Sequence, residues 1–143
     1  MSSGDLLQDL RVELQRLVDS PVQEIETTLL IHPQCLNDFL EYNDFLVDVD
    51  STLRKMGLEG TIQIASFHPQ YQFADTGPDD LSNATNRSPF PTLHLLREDS
   101  IDRAVETMPN PERIYAANIE TLERLGAMGW QDLQAQCKAD VRE

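Results

Sequence analysis

Thr61-Ile-Gln-Ile-Ala-Ser-Phe-His-Pro69 is the stretch on which the fold turns. In an extended chain Ile62 and Ile64 fall on one side, Ala65 and Phe67 on the other, and Pro69 ends the run. A strand is therefore expected over 61–67, with His68 just before the break. Upstream, Thr28-Leu-Leu-Ile-His-Pro33 repeats that ending. Residues 25–31 read as a strand, and their unbroken apolar run predicts burial on both faces. The longest helix signal follows Pro33. Leu36, Phe39, Leu40, Leu46, Val49, Leu53 and Met56 form one stripe, most of the carboxylates lie off it, and Gly57 and Gly60 close it. Strand, helix, strand is a βαβ unit. If both strands join one sheet they run parallel, and His32 and His68 meet at the edge where open α/β sheets place ligands.

Working outward, residues 5–18 repeat leucine at helical spacing, with Ser3 or Asp5 as cap and Ser20-Pro21 as stop. Residues 69–91 hold Gly77, four prolines and many Asn, Asp, Ser and Thr, an unusually long loop for a compact domain. A third strand is expected over 92–97. Alternation groups Thr92, His94, Leu96 and Glu98 on one face, and Leu93, Leu95 and Arg97 on the other. Paired antiparallel to the second strand, it brings His94 to the edge of His32 and His68. Ser100 is expected to cap a short helix carrying Ile101, Ala104, Val105 and Met108. Asn110-Pro111 opens another, with Ile114, Leu122 and Leu125 facing inward and Gly126 closing it. A last helix is expected over 130–137. The expected architecture is a single domain over 1–143, α+β or α/β. Its mixed sheet of about three strands is packed by helices, in a ferredoxin-like or related sandwich.

The chain has 143 residues, 40% of them hydrophobic, and a formal net charge of −14. That acidity argues against nucleic acid and against an anionic membrane surface as partners, since both repel it. No apolar run approaches the roughly 20 residues of a membrane span, and the polar start lacks a signal peptide's apolar stretch. Two cysteines do not make a disulfide framework in a chain of this size. A cytoplasmic protein is expected. Cys35 is expected at the start of the long helix, where the dipole lowers a thiol's pKa. Its bland counterpart, a small buried cysteine, is the commoner explanation.

Ser66-Phe-His-Pro-Gln-Tyr-Gln-Phe73, followed by Asn86-Arg-Ser-Pro-Phe-Pro-Thr-Leu-His-Leu-Leu-Arg-Glu98, resembles a bacterial family catalogued as domain of unknown function 1415. Glu26-Thr-Thr-Leu-Leu30, Gly60 and Asn118-Ile-Glu-Thr-Leu122 also fit it. The resemblance spans nearly the whole chain and implies no activity. It implies a motif set of His68, Tyr71, Asn86, Arg87, His94, Arg97 and Glu98, with His32 outside it. It also implies a shortened start, because family members resemble one another in a Cys-containing segment and a further strand ahead of the first helix.

Two functional readings stay open on these residues. In the first, the FHPQYQF and NRSPFPTLHLLRE motifs build a site for a small polar or anionic molecule at the sheet edge. His68, His94 and His32, or the two motif histidines with Glu98, would hold a divalent metal. In a catalytic version, His68 or His94 is the general base and Arg87 stabilises negative charge. Arg87 and Arg97 would clamp a carboxylate or phosphate beside Tyr71 and Asn86. The second reading is a non-catalytic accessory domain with a protein partner. There His94 is a bonded core histidine and Arg97 pairs with Glu98 or Asp99. Asn86 and Arg87 fix the long loop, and Tyr71, Phe73 and Phe90 anchor it.

Overall fold

The computed structural model describes residues 3–108, 110 and 112–139. In chain order it holds α1 (Ser3–Asp19), β1 (Thr27–Ile31), α2 (Phe39–Lys55), β2 (Ile62–Phe67), a 3-10 helix (Leu81–Asn86), β3 (Thr92–Arg97), α3 (Glu98–Thr107) and α4 (Glu112–Ala139). No described helix is long and apolar enough to cross a membrane.

Leu6, Leu10, Leu14 and Leu17 recur at three- and four-residue spacing and are all buried on one side of α1. Tyr42, Phe45, Val49 and Leu53 do the same on α2. Both stripes close on Leu30, Leu93, Leu95, Ile62 and Ile64 of the sheet to make one core. Burying each such leucine contributes about 2 kcal/mol relative to leaving it in water. α2 begins at Phe39, later than its apolar stripe suggests. Leu36 has φ of 60°, a left-handed conformation that no right-handed helix can contain, and Asp38 supplies the cap by accepting from the Glu41 amide at 3.3 Å. Cys35 therefore lies outside the helix, and burial pushes its thiol pKa up.

The sheet order is β1-β3-β2, and β3 is antiparallel to both neighbours. The strands of the βαβ unit do run in one direction, but β3 is inserted between them, a split βαβ. The architecture is therefore α+β with a small open antiparallel sheet. Register places Leu30 opposite Leu93, and Ile64 opposite Leu95, on the helix-covered face. The other face carries the cross-strand rows Leu29–His94–Ala65 and Ile31–Thr92–Phe67.

β1 corrects an expectation. It is an edge strand with one open face, and Leu29 and Ile31 are 57% and 54% exposed rather than doubly buried. A run of apolar residues cannot distinguish two buried faces from one buried face and one awaiting a partner. The C-terminal helices bring further corrections. α3 starts at Glu98, so Glu98 leaves the strand face and Ser100 lies inside the helix. α4 joins two helices across a kink at Gly126, whose φ of 69° and ψ of 172° are non-helical, so the expected closure at Gly126 holds and a further helix follows it. Within α4 Leu122 is buried, whereas Ile114 and Leu125 are 46% and 38% exposed. The expected opening at Pro111 lies outside the described residues.

Candidate functional site

Alternation along β1 and β2 continues through the residues that end them. His32 and His68 thus follow Leu30 and Ser66 onto the helix-covered face, and both are buried. The Tyr42 ring of α2 lies between them, with ring centres 6.1 Å from His32 and 4.9 Å from His68. The Tyr42 hydroxyl donates to the Thr92 carbonyl at 2.8 Å, tying α2 to the start of β3. His68 uses both ring nitrogens. Nδ1 accepts from the Gln70 amide at 3.0 Å, so Nε2 carries the proton and donates to the Leu36 carbonyl at 3.0 Å. The ring thereby holds the left-handed turn at Leu36 in place. His32 Nδ1 lies 3.4 Å from the Cys35 carbonyl, while Nε2 is buried without a partner. Burial lowers the pKa of both imidazoles, and for His32 the nearby His68 lowers it further.

His94 does not join them. It points to the opposite sheet face between Leu29 and Ala65, and burial lowers its pKa as well. Glu98 is remote from His68. Its amide donates to the Thr61 carbonyl at the start of β2, whereas His68 follows the end of that strand, about 20 Å away at strand rise. Among the described residues no group of three or more His, Cys, Asp or Glu side chains is placed to hold a metal ion. Arg97 is on the helix-covered face. Its Nη2 donates to the carbonyls of Leu17, Ser20 and Ile25 at 2.8, 2.9 and 2.6 Å, so it ties the end of α1 and the following turn to the sheet.

The remaining motif residues gather on the long loop. Asn86 Nδ2 donates to the Ser66 carbonyl at 3.0 Å, and the Asn86 backbone carbonyl accepts from the His68 amide. Arg87 Nε donates to the Tyr71 carbonyl and Nη2 to the Pro78 carbonyl, both at 2.9 Å. Tyr71 packs against Phe39 and Phe73 in tilted and edge-on contacts, with ring centres 5.3 and 5.0 Å away. Asn83, which the sequence reading passed over, is fully buried at the loop's centre. Its Oδ1 accepts from the Phe73 amide at 2.9 Å and the Thr76 hydroxyl at 3.0 Å, and its Nδ2 donates to the Gly77 carbonyl at 2.9 Å. Asn83→Ala leaves the Phe73 amide unpaired at a cost of about 2 kcal/mol locally, whereas the Thr76 hydroxyl keeps the Phe73 carbonyl and the Gly77 carbonyl keeps the Asp80 amide. Exchange of the Phe73 amide proton is then expected to speed up roughly 30-fold by the same 2 kcal/mol. An unchanged rate at Phe73 would show that Asn83 does not hold the loop.

This braced loop and the second half of α4 enclose an open cleft of about 540 Å³. Arg87, Asp80 and Leu81 line one wall, and Trp130, Gln134 and Lys138 line the other. The Ser82 hydroxyl and amide hold the Asp80 carboxyl below the usual carboxylate range, and Asp79 and Asp80 line the same cleft as Arg87 and Lys138. Arg87 has five N–H donors, and the loop carbonyls use two of them. Trp130, the chain's only tryptophan, is half-buried and offers an aromatic wall. Its position after Gly126 and Gly129 was the available sequence signal. Nothing local could show that α4 folds back onto the loop.

A family model matches residues 2–132, that of the family described as "Protein of unknown function (DUF1415)". The chain belongs to that family. The matched span takes in every strand, the braced loop and α4 as far as Asp132, so the loop wall of the cleft and Trp130 lie within it and Gln134 and Lys138 lie beyond it. No curated protein and no solved structure matches the chain.

Proposed function

We propose that the domain is a binding module whose cleft takes a small molecule with a planar apolar part and an anionic or polar end. The observation that carries this reading is the double use of Arg87. Two loop carbonyls orient the guanidinium, and its remaining donors are available to the cleft it lines. A cation positioned in this way recognises carboxylate or phosphate oxygens without first having to be ordered. Trp130 supplies a face for stacking, and the cleft's volume suits a molecule of metabolite size. None of the three histidines lines this cleft, so binding is favoured over histidine-based catalysis.

The bonds made by Asn83, Asn86 and Arg87 also support the rival reading, in which the rigid loop is presented to a protein partner. Trp130 separates the two. Its fluorescence reports directly on the cleft, because the chain has no other tryptophan. Titration with phenyl phosphate and benzoate is expected to shift or quench the emission saturably. Arg87→Lys keeps the charge but loses the planar fork, and should weaken the response about tenfold, the ~1.4 kcal/mol of one charge-assisted bond. Emission unaffected by every aromatic anion tried at millimolar concentration would leave the protein-partner reading in its place.

A further inference from the structure

The cleft beside Trp130 carries charge of both signs. Arg87 and Lys138 line it, and so do Asp79 and Asp80. Their formal charges cancel at neutral pH, in a chain whose net charge is −14. No ion pair joins them. Among the described residues the ion pairs are Arg16–Glu13 and Arg54–Glu59, neither of them at the cleft.

Local bonding explains why these charges stay apart. The Arg87 guanidinium is turned to the carbonyls of Tyr71 and Pro78. Asp80 turns Oδ1 to the Ser82 amide and hydroxyl, at 3.0 and 2.7 Å, as it caps the 3-10 helix, which leaves Oδ2 for a ligand. Lys138 stands on α4, and neither its ammonium nor the Asp79 carboxylate has a hydrogen bond or ion pair among the described residues. A ligand of one sign meets this lining badly. A plain anion suits the two cations but is repelled by both carboxylates and by the acidic chain as a whole, and a plain cation is repelled by Arg87 and Lys138. A molecule with both charges is complementary to both sets and brings no net charge to the protein. Trp130 in the same lining offers a face to an aromatic ring.

We infer that the ligand of this cleft is an aromatic zwitterion, with the chemistry of an aromatic amino acid. Its carboxylate meets Arg87 and Lys138, its ammonium meets Asp79 and Asp80, and its ring lies against Trp130. The inference rests on the reading of the cleft as a binding site and narrows it. Asp79 and Asp80 become the specificity-determining residues, because they distinguish an amine-bearing acid from the same acid without its amine.

Three probes that share a phenyl ring on a short carbon chain test the two charges separately. 3-Phenylpropionate carries the acid alone, phenethylamine the amine alone, and L-phenylalanine both. None absorbs where tryptophan is selectively excited, so the emission of the single Trp130 reads each titration. Phenylalanine is expected to bind about tenfold tighter than either analogue, the worth of one hydrogen bond to a charged group. Combining Asp79→Asn with Asp80→Asn keeps the cap at residue 80, because an asparagine oxygen still accepts from Ser82. The double variant should lose phenylalanine's advantage and bind 3-phenylpropionate no more weakly than wild type. If it does not fold, the three-probe series on the wild-type chain decides alone. Phenylalanine no tighter than 3-phenylpropionate, or an advantage that survives in the folded double variant, overturns the zwitterion and leaves the anion-binding reading standing. Phenethylamine as tight as phenylalanine overturns it too. Silence from all three probes and from phenyl phosphate and benzoate removes the binding reading itself, and this inference with it.

Discussion

Arg97→Ala is expected to lower the unfolding free energy by about 3 kcal/mol, because two or more charge-assisted bonds go with the guanidinium. Its Nη2 reaches three carbonyls, those of Leu17, Ser20 and Ile25, where α1 ends and the chain turns toward β1. The last carbonyls of a helix have no partner within it, and here the sheet supplies one. Without Arg97 these acceptors must be met by water or left unpaired, and α1 loses its attachment to β3. Nε is already buried without a partner, and its removal returns a small part of the loss. Arg97→Lys keeps the charge on a single nitrogen and should fall between wild type and alanine. Urea denaturation of the three proteins measures the series. A loss below about 1 kcal/mol for alanine would mean that the three contacts are peripheral to stability.

His68→Ala should be as damaging, at about 3–4 kcal/mol, from a cavity in the core together with two orphaned backbone groups. The ring is fully buried against Phe39 and Tyr42, and both its nitrogens are bonded. The Leu36 carbonyl loses its donor, and the left-handed turn there loses a restraint. The same environment makes stability depend on pH. His32, His68 and His94 are all held below the ordinary imidazole value near 6.5, chiefly by burial. Below about 6.5 the unfolded chain therefore takes up protons that the folded chain refuses, and stability falls as the pH drops through the depressed folded values. Above that point the contribution is complete and flat. Urea midpoints at pH 7.5 and 5.5 should differ in that sense, and His68→Gln should narrow the difference. An equal difference in the variant would show that His68 is not among the groups responsible.

Local pattern carried the strands, the first two helices and the antiparallel third strand, because alternation and helical spacing are short-range properties of the chain. Leucine spacing alone was enough to read α1. The His-Pro endings of β1 and β2 correctly placed His32 and His68 at one end of the sheet. Local pattern could not say which face each histidine takes relative to the helices. That depends on the phase of the pleat against α1 and α2, which is why His94 separates from the other two. The arginines show the same limit. Arg87 and Arg97 were legible as residues that would bind oxygen atoms, but the oxygens belong to backbone carbonyls distant in sequence. The Arg97 contacts reach back 72 to 80 residues.

Composition and periodicity thus dictated an acidic chain of mixed helices and strands with a long, polar loop, since these follow from each residue's own chemistry and that of its near neighbours. Three matters waited for the packed molecule: the insertion of β3 between the parallel strands, the bracing of the loop by Asn83 and Arg87, and the cleft against Trp130. Each joins groups far apart along the chain, where the distance between two side chains is set by the packing of everything between them.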